Sequence, residues 1–394
     1  MARPVSDVLE QLAVRAREFA RAAEPRVHAL PDVSDAARRA LLLLAEEGLL
    51  AWTIPARDGG ADTAGLVADD VISTRALCTV RSELAYRSGL LDVMFTIQGL
   101  GSYPLVLGGS EDQRQTHLPS VVAGKQVAAF ALTEPEAGSD LAGVETRAET
   151  RNGGWRLNGI KTFISNAPQA DFFTLLARTS GKPGDKTGLS MFLVPGNARG
   201  IEVTAFEVMA PHPIGEVRFH DTSLGEAALL GEEGAGLELA LTTLGRFRTS
   251  VAAAACGFAR RALDESIRHL SARRQFGKPL SAFQGLRFDL AEMDTRLRAG
   301  ELLVAEAAQA VDDGSPATAP VARAKLFATE AASWICDRAV QHFGGLGVKR
   351  GEVVERLFRE VRALRIYEGS SEIQKLILAK DLLSSERSDQ GQKT

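Results

Sequence analysis

A chain of 394 residues is long enough for two or three domains. Apolar residues make up 45% of it and charged residues 24%, the ordinary composition of a soluble globular protein. The net charge of −4 excludes a general attraction to nucleic acid or to acidic membranes, and no apolar run is predicted to span a bilayer. Because no basic segment precedes an apolar one at the N-terminus, we expect no signal peptide and a cytoplasmic protein.

The cysteine pattern indicates neither disulfides nor metal binding. Cys78, Cys256 and Cys336 are far apart and have apolar neighbours. An odd number argues against a disulfide framework, and no spacing between them is typical of a metal site. Free cysteine packs as a small apolar residue. We therefore expect three buried thiols, no metal site and a reducing compartment.

The first part of the chain is predicted to be mainly α-helical, as a domain over residues 1–122. Apolar residues recur there at helical spacing, with polar residues between them. Ser34 is placed to cap the second helix. A loop rich in proline and glycine, residues 54–62, follows that helix. The predicted helices are 5–23, 35–50, 64–82, 85–107 and 112–123.

Near Val127 the pattern changes to short apolar runs separated by turn residues, which predicts a middle β domain over residues 123–233. Asn152, Gly153 and Gly154 form a strong hairpin signal. A barrel-like domain or two stacked sheets fits strands of this number and length. The predicted strands are 127–134, 144–151, 155–164, 172–178, 189–194, 201–207 and 216–221.

Helical spacing returns after residue 233, and long segments with short connections predict a C-terminal four-helix bundle over residues 234–394. Thr318 is placed to cap the third long helix. The polar tail, 384–394, is predicted to be disordered. The predicted helices are 237–273, 283–311, 318–343, 352–364 and 371–383. The fold class is therefore α+β, with a helical, a β and a second helical domain in that order.

One stretch whose residue types suit ligand binding is AFALTEPEAGSDLAGVETRA, residues 129–148. A predicted strand ends at Thr133, and strand ends often present hydroxyls and backbone N–H groups to a ligand. Thr133 and Ser139 supply hydroxyls, and Gly138 permits close approach to the backbone. A plain turn with a capped exit explains the same residues. No G-x-G-x-x-G opens a helix after a strand, so neither a Rossmann domain nor a P-loop is indicated.

The other stretch is RIYEGSSEIQ, residues 365–374, which contains a single central carboxylate, Glu368. Apolar neighbours can desolvate a carboxylate and raise its pKa, which makes it a usable base near neutral pH. Gly369 lets a ligand approach the backbone, and Ser370 or Ser371 can cap the helix that follows. Taken locally, Glu368 is better explained as an acid at a helix N-terminus, because surface acids at helix starts are common.

Together with three further segments, these stretches resemble the ordered signatures of the acyl-CoA dehydrogenases. The segments are LTEPEAGSD, KTFISNAPQADFFTLLART, RRQFGKPLSAFQ, QHFGGLGVKR and IYEGSSEIQ. The likeness runs from about Val5 to Leu383 and includes the α, β, α order of domains. It implies an FAD-dependent dehydrogenase acting on an acyl-CoA, with a role in fatty acid metabolism.

The resemblance implies a set of FAD-binding residues. Leu132 would lie against the flavin ring, Thr133 would donate to its pyrimidine side, and Ser165 would bond near its reactive nitrogen. Phe163 stands where many relatives have tryptophan, and Ser370 replaces a frequent threonine. The residues implied to bind FAD, several of them across a subunit interface, are Phe130, Leu132, Thr133, Gly138, Ser139, Phe163, Ile164, Ser165, Arg273, Gln275, Phe276, Gln284, Gln341, Gly344, Gly345, Ser370 and Glu372.

The resemblance also implies the catalytic groups. Glu368 matches the base that removes the α-proton of the thioester, and the N–H of Gly369 matches a donor to its carbonyl oxygen, beside a ribityl hydroxyl of the flavin. The β-hydrogen would leave as hydride to the flavin. Ser139, Gly369, Arg248 and Lys380 are the implied substrate contacts. Arg248 is equally explained as a helix-surface charge, and Gly245 stands where relatives often have an acid.

The partners implied are an acyl-CoA, an electron-transfer flavoprotein as acceptor, and copies of this chain in a homotetramer or at least a dimer. One alternative is an enzyme of the same fold that oxidises an acyl group on a carrier protein. A remoter alternative is a non-enzymatic relative that binds nucleic acid or serves as a scaffold, which would need a basic patch. Glutamate at residue 368 argues against the branch that oxidises nitroalkanes, which has aspartate there.

Overall fold

The computed structural model describes residues 5–391. Within that range the backbone forms two compact units. The first unit contains residues 5–73 and 90–247, and the second contains residues 74–89 and 248–391. A helical segment from the N-terminal third of the chain therefore belongs to the second unit. The three predicted domain boundaries stay a prediction.

The helices of the first unit follow the predicted order with shifted ends. They are α1 (Val5–His28), α2 (Val33–Glu46), most of α4 (Gly89–Gly108) and α5 (Glu111–Val122). The prediction of a helix from residue 64 was wrong, because α3 (Thr74–Arg87) begins ten residues later. The prediction of a Ser34 cap was also wrong. Asp32 caps α2, since its carboxylate accepts from Asp35 N at 2.9 Å.

Among residues 5–391, one helix is long and apolar enough to meet the length and composition criteria for a membrane span, contrary to the expectation from the sequence. This is α4, and 78% of its most apolar window is covered by protein. Two glycines let other parts of the first unit pack against it. A Cβ on Gly99 would lie 2.7 Å from the Phe247 ring, and one on Gly101 would lie 2.9 Å from the backbone of Ala129. Such burial is typical of a core helix.

Within residues 5–391, the strands of the first unit form one continuous eight-stranded sheet. Their order is β6–β7–β3–β2–β4–β5–β8, and β1 pairs in parallel with β4. Asn152 and Gly153 have positive φ angles and connect β2 to β3, so the predicted hairpin is confirmed. The strands are β1 (Ala128–Ala131), β2 (Arg147–Arg151), β3 (Gly154–Ser165), β4 (Phe172–Arg178), β5 (Leu189–Pro195), β6 (Ile201–Ala205), β7 (Ile214–Gly225) and β8 (Leu229–Leu230).

The second unit is helical, with α3 packed against the long C-terminal helices. The helices are α6 (Gly236–Ala272, in this unit from Arg248), α7 (Gln284–Asp312), α8 (Thr318–Phe343), α9 (Val353–Arg362) and α10 (Ser371–Gly391). Two short strands, β9 (Arg274–Gln275) and β10 (Lys278–Pro279), pair between α6 and α7. Two predictions were wrong here. Ala317, without a side-chain cap, precedes α8. Helix α10 continues past Leu383 through Gly391, where a disordered tail was predicted, and residues 392–394 of that predicted tail lie outside the described residues.

The core of the second unit contains all three cysteines, as predicted. Cys78 on α3, Cys256 on α6 and Cys336 on α8 are buried among alanine, valine and leucine side chains. Burial raises the pKa of Cys256 to about 12 and raises the pKa of the other two further, because an apolar core disfavours a thiolate. These thiols are packing groups and not nucleophiles.

Candidate active site

Glu368 lies in a tight turn between α9 and α10, and its backbone has an unusual conformation. Its φ is +53°, and that of Gly369 is +90°. A left-handed conformation costs a residue with a side chain about 1–3 kcal/mol, so other contacts must hold it. At Gly369 a Cβ would lie 2.7 Å from Gln374 Nε2, so only glycine fits without moving a neighbour. We call residues 367–370 the Glu368 turn.

Three side chains hold the Glu368 turn by its carbonyl groups. Arg248 Nε on α6 donates to the carbonyl of Glu368 at 2.8 Å. The carbonyl of Gly369 accepts from Lys325 Nζ on α8 at 2.7 Å and from Gln374 Nε2 on α10 at 2.9 Å. The N–H of Gly369, by contrast, donates to none of the residues that the structure describes. The turn is therefore fixed from three helices, with one N–H left for a ligand.

Two cations lie near the Glu368 carboxylate. Burial lowers the pKa of Arg248, and the charge of Glu368 opposes that shift. Burial likewise lowers the pKa of Lys325 to about 8, against the charge of Glu368. Because such interactions are mutual, both cations favour the ionised form of Glu368.

The helix that follows begins with a hydroxyl cap, as predicted. Ser370 Oγ accepts from Ile373 N at 3.5 Å, a long bond, and contacts the carboxylate of Glu372. The backbone N–H of Glu372, followed by that serine contact, lowers the pKa of this exposed carboxyl. Ser371 Oγ instead donates to Glu330 Oε1 on α8 at 2.6 Å. The two serines therefore have different roles: Ser370 caps α10 and Ser371 ties it to α8.

In the first unit, the ends of β1 and β3 bring two predicted flavin segments together. The N–H of Thr162 donates to the carbonyl of Thr133 at 2.9 Å. Lys161 Nζ donates to the carbonyl of Leu132 at 2.8 Å and to Glu134 Oε1 at 2.7 Å. Burial lowers the pKa of Lys161, and the charge of Glu134 opposes that shift. This buried ion pair fixes the backbone at the point where β1 ends.

Beside that junction, Phe163 and Ser165 have distinctive environments. Phe163 has a φ of +55° and is 62% exposed, with its ring edge-on to Phe206. Ser165 Oγ lies 3.0 Å from His212 Nε2, and His212 Nδ1 lies 2.8 Å from the carbonyl of Ala210. Burial lowers the pKa of His212 and keeps its ring neutral at pH 7. A neutral ring that donates from Nδ1 accepts the Ser165 proton at Nε2.

These residues have the features that a planar cofactor ring requires. Phe163 offers an exposed aromatic face, and nothing lies within 4 Å of a Cβ built on Gly138. Ser139 is exposed beside Gly138, whereas Leu132 and Ile164 are buried. An apolar floor beside an open glycine and hydroxyls fits a flavin. The roles of Phe130, Thr133 and the other first-unit residues in FAD binding stay a prediction.

The predicted diphosphate segment lies at another end of the second unit. Arg273, Gln275, Phe276 and Gln284 are exposed around β9, β10 and the start of α7, and Phe276 is 91% exposed. Gln341, Gly344 and Gly345, at the end of α8, are also exposed. His269 and Phe343 stack at 4.1 Å between ring centres and join these two groups.

Position along α8 separates that segment from the Glu368 turn. Gln341 follows Lys325, which contacts the turn, by 16 residues on this one helix, and 16 residues span about 24 Å. Lys380 is exposed on α10, 12 residues beyond Glu368. The chain itself therefore brings Glu368, Gly369 and Arg248 together but not Arg273 or Gln341.

Sequence reasoning missed Lys325, Lys161, Gln374 and His212. Two of these carried a usable signal. Lys325 stands at helical spacing from the buried residues Val321 and Ala328, so its side chain had to lie on the buried face of α8. Lys161 alternates with Trp155 and Leu157 on the inward face of β3. A lysine on an apolar face requires a buried acceptor, and the nearest candidates were the two motifs.

Comparison with known proteins covers nearly all of the chain. The N-terminal, middle and C-terminal domains of acyl-CoA dehydrogenase match residues 6–125, 129–222 and 234–383. An acyl-CoA dehydrogenase of Bacillus subtilis is 34% identical over 380 residues, 95% of this chain and 98% of that protein. The caffeyl-CoA reductase–Etf complex subunit CarC of Acetobacterium woodii is 37% identical over 309 residues, 76% of this chain and 80% of that protein.

Similarity of fold leads to the same family. The structure of butyryl-CoA dehydrogenase from Megasphaera elsdenii superposes with a TM-score of 0.87 at 30% identity and covers 97% of this chain and 100% of that one. The predicted fold class, the family and its cofactor are thus confirmed. The chain belongs to the acyl-CoA dehydrogenase family of FAD-dependent oxidoreductases that act on CH–CH groups.

Proposed function

We propose that this protein oxidises a saturated acyl-CoA to the trans-2-enoyl-CoA, with Glu368 as the base that removes the α-proton. The observation that carries the proposal is the Glu368 turn. Its carbonyls are fixed by Arg248, Lys325 and Gln374, while the Gly369 N–H stays available. A carboxylate beside a fixed N–H donor is the arrangement that proton removal next to a carbonyl group requires.

The chemistry explains why both groups are needed. The α-proton of a thioester is weakly acidic, and its removal places negative charge on the carbonyl oxygen. Gly369 N–H donates to that oxygen and stabilises the charge as it develops. Glu368, ionised with the help of nearby cations, accepts the proton. Bound FAD supplies the acceptor for the β-hydrogen and its electron pair.

The remaining site residues hold cofactor and substrate. In the first unit, Leu132, Phe163 and Ser165 would hold the isoalloxazine ring, and Thr133 would donate a hydrogen bond to it. In the second unit, Arg273 and its neighbours bind the diphosphate half of FAD, since an arginine fork matches phosphate oxygens. Ser139 and Lys380 are the proposed CoA contacts.

About 24 Å along α8 separates Gln341 from Lys325, which contacts the Glu368 turn. This separation supports a site shared between subunits, with Arg273 and Gln341 serving the FAD of a neighbouring copy. The same end of the second unit exposes Phe276 and Val348. We propose a homotetramer, with a dimer as the smallest active form. An electron-transfer flavoprotein is the proposed acceptor, because the relative CarC is named as a subunit of a complex with one.

Anaerobic titration of the purified protein with a panel of saturated acyl-CoAs tests the proposal. Bleaching of the oxidised flavin absorption, together with an enoyl-CoA product, is the expected result. The chain length or branching that bleaches the flavin fastest identifies the substrate. If the protein binds no flavin even after FAD is added, the proposed reaction is wrong.

A second candidate substrate is an acyl group on a carrier protein. A solved structure of the prolyl acyl carrier protein oxidase AnaB has a TM-score of 0.84 at 28% identity and covers 94% of this chain and 98% of that one. The α-carbon chemistry at Glu368 is the same for either thioester. A flavin that stays oxidised with every free CoA thioester but bleaches with the carrier-bound acyl group would identify this second function.

A further inference from the structure

The charged group least explained by the proposed function is Lys325. It lies on α8, is 0% exposed, and comes from none of the family segments quoted above. Burying a lysine is costly unless its charge is paired and its protons are bonded. Within the second unit, Lys325 donates a hydrogen bond to the carbonyl of Gly369, and the charges of Glu368, Glu330 and Glu372 favour its ammonium form.

Its ammonium group contacts the Glu368 turn itself. Lys325 Nζ donates to the carbonyl of Gly369 at 2.7 Å. The carbonyl of Gly369 and the N–H of Gly369, which we assign to the substrate oxygen, belong to consecutive peptide units that meet at the Gly369 Cα. Glu368 and Gly369 are consecutive residues of this tight turn, so a rotation of the turn as a whole moves the carboxylate and that N–H together. A bond to the carbonyl of Gly369 therefore limits the orientation of both groups.

The charged groups around Lys325 come from four elements. Glu368 lies in the turn, Glu330 five residues further along α8, Glu372 on α10 and Arg248 on α6. After burial, which lowers the pKa of Lys325 to about 8, the charge of Glu368 is the largest of these influences, and it favours the ammonium form. The ammonium form in turn favours the Glu368 carboxylate, since the attraction is mutual.

We propose that Lys325 is a positioning residue for the base: its ammonium group orients the Glu368 turn toward the thioester and helps to keep Glu368 ionised. The inference rests on the proposed function, since it assumes that Glu368 removes the α-proton. It adds a residue on a different helix that touches neither substrate nor cofactor. It also makes the reaction depend on the protonation of Lys325, because a deprotonated Lys325 carries no charge and holds the turn less firmly.

The sign of the pH effect follows from the direction of the shift. Lys325 is protonated below its pKa of about 8 and neutral above it. The rate of proton removal should therefore be highest at a pH below about 8, where Lys325 is protonated, and should decline as the pH rises through about 8. The decline belongs to Lys325 if it disappears when the residue cannot titrate.

Lys325→Met, Lys325→Gln and Lys325→Arg, each loaded with FAD, form the first test, with Lys186→Met as a control. Lys186 is exposed in the first unit and lies in none of the proposed sites. We expect Lys325→Met to lower kcat at least tenfold with a smaller change in KM, and to lose the alkaline decline. Lys325→Arg should recover activity and retain it above pH 8, and Lys325→Gln should fall between them. An unchanged kcat and pH profile in Lys325→Met would overturn the proposal.

A second readout follows proton removal without hydride transfer. Acetoacetyl-CoA has an acidic α-proton, and its enolate has its own absorption band. Bound to the wild-type protein it should ionise at a lower pH than when bound to Lys325→Met. Equal midpoints would reduce Lys325 to a packing residue and contradict the inference. If neither protein binds this ligand or reacts with any acyl thioester, the proposed function itself fails.

The wild-type protein keeps the inference testable if every Lys325 variant fails to fold. Its kcat/KM for the best thioester should fall between pH 7.5 and 9 while its circular dichroism stays constant. A wild-type profile that is flat over that range contradicts the proposal that Lys325 must be protonated. A wild-type profile that falls only when the protein unfolds contradicts it as well.

Discussion

Lys161 Nζ lies 2.7 Å from Glu134 Oε1, and both side chains are buried. The carboxylate also accepts from the backbone N–H groups of Glu145 and Thr146, at 2.7 and 3.0 Å. Lys161 donates in addition to the carbonyl of Leu132. One ion pair thus fixes the end of β1, the loop after it and strand β3 in a single arrangement.

Lys325 relates to the Glu368 turn as Lys161 relates to the end of β1. Each lysine is buried, and each donates to a backbone carbonyl inside a segment that the sequence marks as functional. In both places a charge-assisted hydrogen bond holds the backbone while leaving the motif's own side chains free to contact ligands. The motifs are therefore supported by two kinds of residue. Lys325 lies outside the family segments, and Lys161 lies inside one of them but was not predicted to bind a ligand.

Lys161→Met should destabilise the first unit strongly. The change leaves the Glu134 carboxylate buried without its cation, a loss of about 3–5 kcal/mol in comparable buried pairs. The double variant with Glu134→Gln should recover much of this, since the remaining amide is neutral and still accepts a hydrogen bond. Unfolding midpoints in urea measure both. A double variant no more stable than Lys161→Met would contradict this account of the pair.

The same change should weaken FAD binding before it unfolds the protein. Without Lys161, the carbonyl of Leu132 loses its donor, and the segment proposed to face the flavin loosens. We expect the FAD dissociation constant to rise at least tenfold at a urea concentration where circular dichroism is unchanged. Flavin fluorescence on dilution gives that constant directly.

The pH dependence of stability between pH 5 and 6.5 should depend on His212. Burial places its folded pKa below the unfolded value of 6.5. In that window the unfolded chain binds more protons, so stability is lost as the pH falls, with a slope of at most about 1.4 kcal/mol per pH unit. His212→Gln, which keeps an acceptor for Ser165, should flatten the dependence. Parallel curves for the two proteins in urea unfolding would show that the pKa of His212 is the same in the folded and unfolded states, and would contradict this prediction.

Much of the fold was predictable because its signals are local. Helix α8 has the predicted bounds, 318–343, and strand β4 the predicted bounds, 172–178, since apolar spacing and flanking turn residues define both. The errors arose where contacts with neighbouring residues determine whether a helix forms and which side chain caps it. Residues 64–73 have helical composition but no helix, and Asp32 rather than Ser34 caps α2 because only its carboxylate reaches Asp35 N.

The candidate site likewise contains residues that a local pattern reveals and residues that only the packing of helices reveals. Glu368 and Gly369 are recognisable from a short pattern, since their chemistry depends on residue type and order. Lys325, in contrast, reaches Gly369 across 44 positions of sequence. Such a contact follows from how α8 packs beside α10, and a packing partner at that separation leaves no local pattern. Buried polarity on a helical face was the one available clue.

Glu368→Gln should yield a folded, yellow and nearly inactive protein. The amide keeps the size of the side chain and its hydrogen bonding but cannot accept the α-proton, and loss of a general base costs about two to four powers of ten in rate. Turnover with the best acyl-CoA, flavin absorbance per protein and the unfolding temperature are the three measurements. Glu306→Gln, at an exposed position of α7, is the matched control. Turnover near the wild-type value would remove Glu368 from its proposed role.

Arg248 was predicted to bind CoA, and its position raises a competing role. Its Nε donates to the carbonyl of Glu368 at 2.8 Å, and its Nη2 would lie 3.5 Å from a Cβ on Gly369. The guanidinium is thus engaged with the turn that carries the base. Lysine cannot reproduce this contact, because its charge is a point at the end of a flexible chain and it lacks the Nε–H.

Arg248→Lys distinguishes the two roles when it is assayed with a full acyl-CoA and with the N-acetylcysteamine thioester of the same acid. If Arg248 holds the turn, kcat should fall by about 10–100-fold with both substrates, the loss expected for one hydrogen bond from a charged donor. If it binds CoA, KM should rise for the acyl-CoA alone. We expect the first result, because an arginine that holds the Glu368 carbonyl acts on proton removal whatever thiol the acyl group carries.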